Sequence, residues 1–204
     1  MEDLLDLYAE AEDPLFPVVC FDECPYQLVS HTRQPIPAQP GQRRRYDYQY
    51  RREGTCNLFV FFCPRQGWRH LTVTDRRTKQ DFAQQMRDLV DVYFPKAFKI
   101  RLVLDNLNIH VPSALYETFE PAEARRILRR IEFHYTPVHA SWLNMVELEL
   151  SVLSQQCLDR RLSSKTAVRY ECWIWEAERN AKQATVHWHF TCEKARLNPR
   201  LYPP

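Results

Sequence analysis

Two stretches decide the fold: Phe16-Pro-Val-Val-Cys-Phe-Asp-Glu23 and Lys99-Ile-Arg-Leu-Val-Leu104. In the first, both alternating rows of side chains are apolar until the end, which is the pattern of a strand covered on both faces in the middle of a sheet. The second predicts another central strand. Asp22 closes the first stretch and Asp105 follows the second. Because ligands collect beyond the carboxyl ends of central strands in open α/β sheets, the two aspartates mark a candidate site.

The remaining pattern places further strands and helices around these two stretches. Aromatic and β-branched residues between turn residues predict strands at 46–50, 55–63, 68–74 and 131–135. Apolar residues at helical spacing predict helices over 1–13, 78–94, 113–130 with a break at Glu120-Pro121, 142–157 and 164–182. This order predicts an α/β fold in which helices flank a mixed sheet.

Composition excludes several classes of protein. With 204 residues, 45% of them hydrophobic and 26% charged, the chain is long enough for a sizeable core and is not a disordered tail. Three glycines leave no glycine-rich phosphate loop. The formal net charge of +2 neither proves nor excludes a nucleic-acid partner. Seven cysteines without a Cys-x-x-Cys pair, an acidic amino terminus and the lack of an apolar run of about 18 residues predict a soluble, cytoplasmic protein with no membrane span.

A third carboxylate comes from the predicted helix 142–157, whose faces follow from a turn of ~100° per residue. Its apolar stripe consists of Leu143, Val146, Leu150, Leu153 and Cys157. Along the edge of that stripe runs a polar row of Asn144, Glu147, Ser151 and Ser154. Glu147 therefore emerges beside the buried stripe and is expected to face inward. Glu149 points roughly 160° away and is expected to be an ordinary solvated residue.

The three carboxylates together predict a metal site. A single aspartate after a strand most often belongs to an Asx turn or a helix cap, but two at the ends of neighbouring strands are harder to explain in this way. Three hard oxygen ligands suit Mg²⁺ or Mn²⁺ rather than Zn²⁺. Two such ions about 4 Å apart activate a water or a 3′-hydroxyl group and stabilise the leaving oxygen in an in-line displacement at phosphorus. The expected chemistry is phosphoryl transfer on nucleic acid.

Three motifs carry a family resemblance: Val103-Leu-Asp-Asn-Leu-Asn-Ile-His110, Phe133-His-Tyr-Thr-Pro-Val-His-Ala-Ser-Trp-Leu-Asn-Met-Val-Glu147 and Leu153-Ser-Gln-Gln-Cys-Leu-Asp-Arg-Arg161. They resemble the DDE catalytic domain of mariner-like bacterial insertion-sequence transposases, and more narrowly the insertion sequence six-thirty family. The resemblance covers nearly the whole chain, from Val18-Val-Cys-Phe-Asp-Glu23 to Arg200-Leu-Tyr-Pro203.

This resemblance implies an RNase H-like fold with a mixed five-stranded sheet, two divalent metal ions, and cut-and-paste transposition through DNA cleavage and strand transfer. The first aspartate of the family falls on Asp22, the second on Asp105 and the final carboxylate on Glu147, in agreement with the helical wheel. The 42 residues from Asp105 to Glu147 are more than is usual for mariner-like enzymes. We assign the excess to the basic helix around 121–130, an insertion that should not move the metal site.

The predicted organisation is a connector remnant at 1–15, a catalytic domain at 16–182 and a tail packed on that domain at 183–204. Transposases of this kind normally carry an N-terminal pair of helix-turn-helix modules, and there is no room for it before Phe16. The chain therefore resembles the catalytic half alone, from a separate reading frame, a frameshift, or a decayed or repurposed copy. The expected partners are element ends and target DNA, a separate helix-turn-helix subunit, and further copies of the chain on DNA in the bacterial nucleoid.

Two basic clusters are candidate DNA contacts. Cations alternate with tyrosines in the first cluster, as on surfaces that track phosphates and unstacked bases, although an exposed hairpin explains the pattern equally well. The second lies on the basic helix, where a solvated face is the commoner explanation, but its expected place beside a phosphodiester site favours DNA contact. The clusters are Arg43, Arg44, Arg45, Arg51 and Arg52, and Arg125, Arg126, Arg129 and Arg130.

Four further residues are candidates for orienting the carboxylates or a phosphate oxygen: Asn106, Asn144, His110 and His139. Structural hydrogen bonding is the alternative for both histidines. The alternative functions are an RNase H-like DNA nuclease that does not join strands, and an inactive DNA-binding regulator derived from a transposase.

Overall fold

The computed structural model describes residues 1–198 and contains one mixed five-stranded sheet with the order β3-β2-β1-β4-β5. The first three strands are antiparallel neighbours, whereas β4 runs parallel to β1, and β5 runs parallel to β4. The mixed five-stranded sheet is thus confirmed, and the strands at 68–74 and 131–135 lie where the sequence predicts them. The strands are β1 Val18–His31, β2 Tyr50–Cys63, β3 Trp68–Thr74, β4 Ile100–Leu104 and β5 Ile131–Tyr135.

Helices cover both faces of this sheet. One face packs against α2, α3 and α4, and the other against α1, α5 and α6. The break at Glu120-Pro121 is confirmed, because Pro121 begins a new helix. The helices are α1 Glu2–Ala9, α2 Lys79–Asp88, α3 Ser113–Thr118, α4 Pro121–Leu128, α5 Val146–Leu153, α6 Lys165–Ala181 and α7 Cys192–Arg196, with π-helical turns at Leu89–Tyr93 and Ser154–Leu158 and a 3₁₀ turn at Ser141–Leu143.

The alternation of side chains along β1 explains its central place. Val19 and Phe21 are buried in the core beneath α2, and Cys20 is buried in the core beneath α5 and α6. Burial on both faces stabilises a strand whose two rows of side chains are both apolar, and the sequence predicts this position for the stretch.

The prediction that Asp22 ends a strand is wrong, because β1 continues to His31. Its outer part pairs only with β2, and Pro25 lies opposite Asn57 beyond the last β4 pairing at Cys20. Proline is tolerated there because that side of β1 is an edge, where its missing N–H costs no ladder hydrogen bond.

The predicted strand at 46–50 is also wrong. β2 begins only at Tyr50, and residues 32–49 form a loop between β1 and β2. Isolated bridges, Ile36 with Arg45 and Gln39 with Gln42, shape this loop. Alternating tyrosines imitate a strand pattern, but three of the four prolines at 25–40 lie in the loop and prevent a regular ladder.

The predicted continuous helix 142–157 is interrupted near its start. After the 3₁₀ turn, Asn144 is extended, with φ −84° and ψ 107°, and the α-helix begins at Val146. The interruption resets the helical phase, so that Leu143 no longer shares one stripe with Leu153.

The helix before β1 packs into the core. Four α1 side chains are buried, and the Tyr8 hydroxyl donates to the Leu143 carbonyl oxygen over 2.7 Å. The described part of the tail also packs on the domain, with the Val186 amide donating to the Pro64 carbonyl oxygen. Arg200-Leu-Tyr-Pro203 and the end of the predicted tail lie outside the described residues. Within residues 1–198, no helix has the length and apolar character needed to cross a bilayer.

Candidate active site

Asp22 of β1 lies close to Asp105, the first residue after β4. The register pairs Cys20 of β1 with Val103 of β4, and each aspartate follows two residues later along chains that run in the same direction. Burial is the main reason that the pKa of Asp22 rises to about 7, with the negative charges of Asp105 and Glu147 contributing. Both other predicted carboxylates are thus within electrostatic range of Asp22.

Asp105 is held in place through one of its two oxygens. Its Oδ1 accepts hydrogen bonds from the Leu107 amide at 3.0 Å and from His110 Nδ1 at 2.6 Å. The bond from His110 keeps the pKa of Asp105 below its usual range. The Asx turn considered for this residue is therefore present, and it coexists with a ligand role because Oδ2 makes no hydrogen bond to any residue that the structure describes.

His110 is fully buried and lies between two carboxylates. Its Nε2 is 2.9 Å from Glu23 Oε2, and its Nδ1 faces Asp105. Burial by itself would lower the pKa of His110, but the hydrogen bonds to Asp105 and Glu23 raise it to about 9. At neutral pH the ring is therefore an imidazolium that donates from both nitrogens, which supports the prediction that it orients a carboxylate.

Glu23 is a residue that the sequence reasoning missed. It is buried, and its Oε1 lies 3.6 Å from Arg77 Nη1. A signal was present in the strand pattern, because Glu23 continues the row of Val19 and Phe21 that faces a closed core. A carboxylate in such a row needs a cationic partner.

The two predicted asparagines connect the elements around the carboxylates. Asn144 is buried, and its Nδ2 donates to the Phe21 carbonyl oxygen over 2.9 Å, which ties the start of α5 to β1 beside Asp22. Asn106 Nδ2 donates to the Thr136 carbonyl oxygen over 2.6 Å and so joins the ends of β4 and β5. Within the described residues neither asparagine bonds a carboxylate directly, and their predicted role in positioning the carboxylates stays a prediction.

His139 is exposed and has a positive φ of 63°. It lines an open depression at the ends of β4 and β5, together with Asp105, Asn106 and Ser141. It makes no hydrogen bond to a carboxylate in the described part of the chain, so its predicted orienting role has no contact to support it.

The expected directions of the two α5 glutamates are wrong. Glu147 is exposed, and Glu149 is 2% exposed and forms ion pairs with Arg69 and Arg179. On a wheel the two glutamates lie on opposite sides of the apolar stripe, each about 80° from its centre, so the wheel does not decide between them; the ion pairs with Arg69 and Arg179 bury Glu149. Glu147 nevertheless borders the site, since its charge acts on Asp22.

The donor set fits a divalent cation in charge and in ligand type. Asp22 and Asp105 offer hard oxygens side by side, and the raised pKa of Asp22 reflects burial and a local excess of negative charge that a cation would neutralise. Among residues 1–198, no three His, Cys, Asp or Glu side chains are grouped closely enough to hold one ion as placed. Closure of a three-carboxylate site therefore requires the exposed Glu147 side chain to swing toward the two aspartates.

The first basic cluster lies at the far end of the β1–β2 hairpin. All five of its arginines are exposed, three on the loop 32–49 and two at the start of β2. Arg161 secures this loop: its Nη2 donates to the Asp47 carbonyl oxygen over 2.8 Å, and its guanidinium lies over the rings of Tyr46 and Tyr50. The cluster is thus a surface on a supported loop.

The second basic cluster is not beside the carboxylates, and that expectation is wrong. The Ile100 amide donates to the Arg130 carbonyl oxygen, so the end of α4 lies at the opposite end of β4 from Asp105. Arg126 makes two hydrogen bonds to Asp91, and the Arg130 side chain donates to three main-chain carbonyl groups. Arg125 and Arg129 are exposed.

Strand order and carboxylate placement define the class of the protein as RNase H-like, with an antiparallel β1–β3 meander followed by two parallel strands. The chain belongs to the DDE superfamily endonuclease family, whose profile matches residues 17–169. Comparison with curated proteins found no match.

Solved structures of the Mos1 mariner transposase share this fold. They include the paired-end complex with Mn (TM-score 0.59, 19% identity), the paired-end complex with the left transposon end (0.61, 18%) and the strand transfer complex (0.59, 19%). Each match covers 90% of this chain and 55%, 55% and 54%, respectively, of the Mos1 chain. The chain therefore spans about half the length of these proteins, and at this identity the likeness establishes the fold.

Proposed function

We propose that this chain is the catalytic part of an insertion-sequence transposase, which cleaves DNA and transfers the resulting 3′ ends to a target. The observation that carries the proposal is the closeness of Asp22 on β1 to Asp105 just after β4, with the charge of Glu147 acting on the same point. Membership of an endonuclease family and a fold shared with transposase–DNA complexes support it.

Asp22, Asp105 and Glu147 would hold two divalent ions, Mg²⁺ or Mn²⁺. When bound, such ions activate the attacking water or 3′-hydroxyl group and stabilise the leaving oxygen. The imidazolium of His110 and the Leu107 amide fix Asp105 Oδ1, which leaves Oδ2 as the ligand oxygen. Asp22 must be ionised to act as a ligand, and its pKa of about 7 makes this a proton release near neutral pH.

DNA is the proposed macromolecular partner. The exposed arginines of the loop 32–49 and of the start of β2 would contact phosphates, with the tyrosines between them available for stacking. Arg125 and Arg129 are exposed and would contact DNA away from the carboxylates, whereas Arg126 and Arg130 are engaged within the domain. A separately encoded helix-turn-helix subunit and a second copy of the chain would complete the assembly on element ends in the bacterial cytoplasm.

The test supplies the purified chain with Mn²⁺, a supercoiled plasmid and a fluorescent duplex carrying a free 3′-hydroxyl end. We expect metal-dependent nicking of the plasmid and covalent joining of the duplex to it. Asp105→Asn and Glu147→Gln should lose both activities. The matched control is Glu132→Gln, a change at an exposed carboxylate on β5, which should keep them.

The same test separates the alternatives. Nicking without joining would support a nuclease that does not transfer strands. DNA binding without nicking, unchanged by Mn²⁺, would support the inactive regulator and contradict the proposed function.

A further inference from the structure

A buried ion-pair network involves α5, the helix that carries Glu147. Arg69 of β3 is fully buried, and its Nε is 2.9 Å from Glu149 Oε1. Arg179 of α6 approaches the same carboxylate with Nε and Nη2, each at 3.0 Å. One glutamate of α5 is therefore shared by two arginines from two other elements.

The network is anchored beyond this carboxylate. Arg69 Nη2 donates to the Ala184 carbonyl oxygen over 2.7 Å. The main chain of Arg69 exchanges two hydrogen bonds with the Asn180 side chain, each 2.9 Å long. Arg69 is thus held in place by α6 and the residues that follow it, so its guanidinium group has a fixed position beside Glu149.

The apolar pattern of α5 does not by itself fix how the helix is rotated. Its first apolar row, formed by Val146, Leu150 and Leu153, faces the core. Leu148, which is 49% exposed, and Val152, which is partly buried against the same core, lie roughly 150° further around the helix. Apolar side chains therefore cover much of the helix, and because apolar burial is non-directional they do not select one rotation. Turning α5 in either direction would move Glu147 off the flank that borders Asp22.

We propose that Arg69 and Arg179 are positioning residues that, through Glu149, set the rotation of α5 and keep Glu147 on the flank of the helix that borders Asp22. Arg179 donates hydrogen bonds to both Glu149 oxygens, and the fixed Arg69 Nε lies 2.9 Å from Oε1 as an ion contact, so the carboxylate has a defined direction, which apolar contacts lack. Buried ion pairs add little net stability relative to apolar packing, and a role in choosing one arrangement explains why charges occupy this core. The inference rests on the proposed ligand role of Glu147.

The test variant is Arg69→Met/Arg179→Met, which leaves Glu149 buried without a cation. Because an unpaired buried carboxylate is costly, α5 should turn to expose it. We expect the Kd for Mn²⁺, measured by calorimetry, to rise at least tenfold. Loss of two positive charges would by itself strengthen cation binding, so weaker binding reports the displacement of Glu147 and not the charge change.

Two further variants separate positioning from general damage. Leu153→Ala also weakens the packing of α5 but keeps the ion pairs, and it should lower the Tm while changing the Kd for Mn²⁺ less than twofold. Adding Glu149→Leu to the double variant supplies another apolar residue to the first row, and it should return the Kd to within threefold of the parent value. An unchanged Kd in Arg69→Met/Arg179→Met would overturn the proposal.

If the double variant does not fold, Arg179→Met alone provides the test. This side chain is 21% exposed, and its removal leaves Arg69 paired with Glu149. We expect a Kd for Mn²⁺ about threefold higher than that of the parent. A Kd equal to that of the parent would contradict the proposed positioning.

A readout without metal distinguishes this inference from the proposed function. In a Val152→Cys background, the introduced thiol should be alkylated at least tenfold faster when Arg69 and Arg179 are methionines, because residue 152 lies about 60° from Glu149 on the helix and turns outward with it. An equal rate would overturn the positioning role. A parent chain that neither binds Mn²⁺ nor cuts DNA would contradict the proposed function, and the alkylation rates would still test the rotation of α5.

Discussion

Asp22 and Glu23 are consecutive residues of β1 that act on Asp105 by two different routes. The negative charge of Asp22 acts on Asp105 directly, and Glu23, on the other face of the strand, reaches it through His110. Of these two consecutive residues, Asp22 repels the Asp105 carboxylate, and Glu23 bonds the His110 ring that holds it in place.

The first prediction concerns the stability cost of Asp22. Since its pKa is raised to about 7 in the folded chain, the native state binds more protons than the unfolded state between about pH 4 and pH 7, and stability falls across that range. Asp22→Asn removes this loss. In urea unfolding with a chelator present, we expect the variant to be more stable than the parent by about 1 to 3 kcal/mol at pH 8. The difference should shrink toward pH 4, and a variant less stable than the parent at pH 8 would contradict this account.

The second prediction concerns the buried imidazolium. The pKa of His110 is raised to about 9, so its stabilising contribution is complete below about pH 6.5 and disappears as the pH rises through 9. His110→Gln should lower the free energy of unfolding by roughly 2 kcal/mol at pH 6 and by less at pH 10. Denaturant titrations at the two pH values measure this difference. His139→Gln, at an exposed position, is the matched control and should leave the free energy of unfolding unchanged at both pH values.

The third prediction concerns the two glutamates of α5. The sequence alone predicts that Glu149→Gln is silent, but the buried contacts to Arg69 and Arg179 predict a loss of about 3 kcal/mol of unfolding free energy. Glu147→Gln, two residues away and exposed, should stay within about 0.5 kcal/mol of the parent. Urea unfolding of both variants at neutral pH is the measurement. Equal stability of the two would show that the buried network contributes little.

The fourth prediction concerns DNA binding by the loop 32–49. Replacing Arg43, Arg44 and Arg45 together with alanine should weaken binding to any duplex and reduce the slope of log K against log salt by about two to three. Fluorescence anisotropy over a range of salt concentrations measures both. Arg126→Ala should leave the slope unchanged because that side chain is paired with Asp91. A slope that is equal in the triple variant and the parent would place the DNA elsewhere.

Strand burial was predictable from the sequence, because the two doubly apolar stretches can be satisfied only in the middle of a sheet. The neighbouring positions of Asp22 and Asp105 followed from those strands. The extension of β1 to His31 did not follow, since it depends on pairing with β2 beyond the end of β4, which no local pattern records.

The orientation of α5 was beyond a helical wheel for a different reason. A wheel treats charged residues as solvent-facing, and it places Glu147 and Glu149 equally far from the apolar stripe, on opposite sides of it. Asn144 interrupts the helix, and Arg69, which lies more than 70 residues before α5, supplies the partner that buries Glu149. The sequence contains only a weak sign of this long-range charge pairing, namely that Arg69 occupies a buried position in β3, a strand whose buried and partly exposed side chains alternate.

The length of β1 sets the distance between the arginine loop 32–49 and the carboxylates. From Asp22 to His31 the strand advances by ~30 Å, which is the rise of about nine base pairs of duplex. For DNA lying along the hairpin, the backbone gripped at the arginine loop would lie nearly one helical turn from the scissile phosphate. The length of the hairpin would thus fix the distance along the DNA between these two points. Deleting paired residues from both of its strands would shorten the stretch of DNA that the protein protects, without altering the chemistry at the cut.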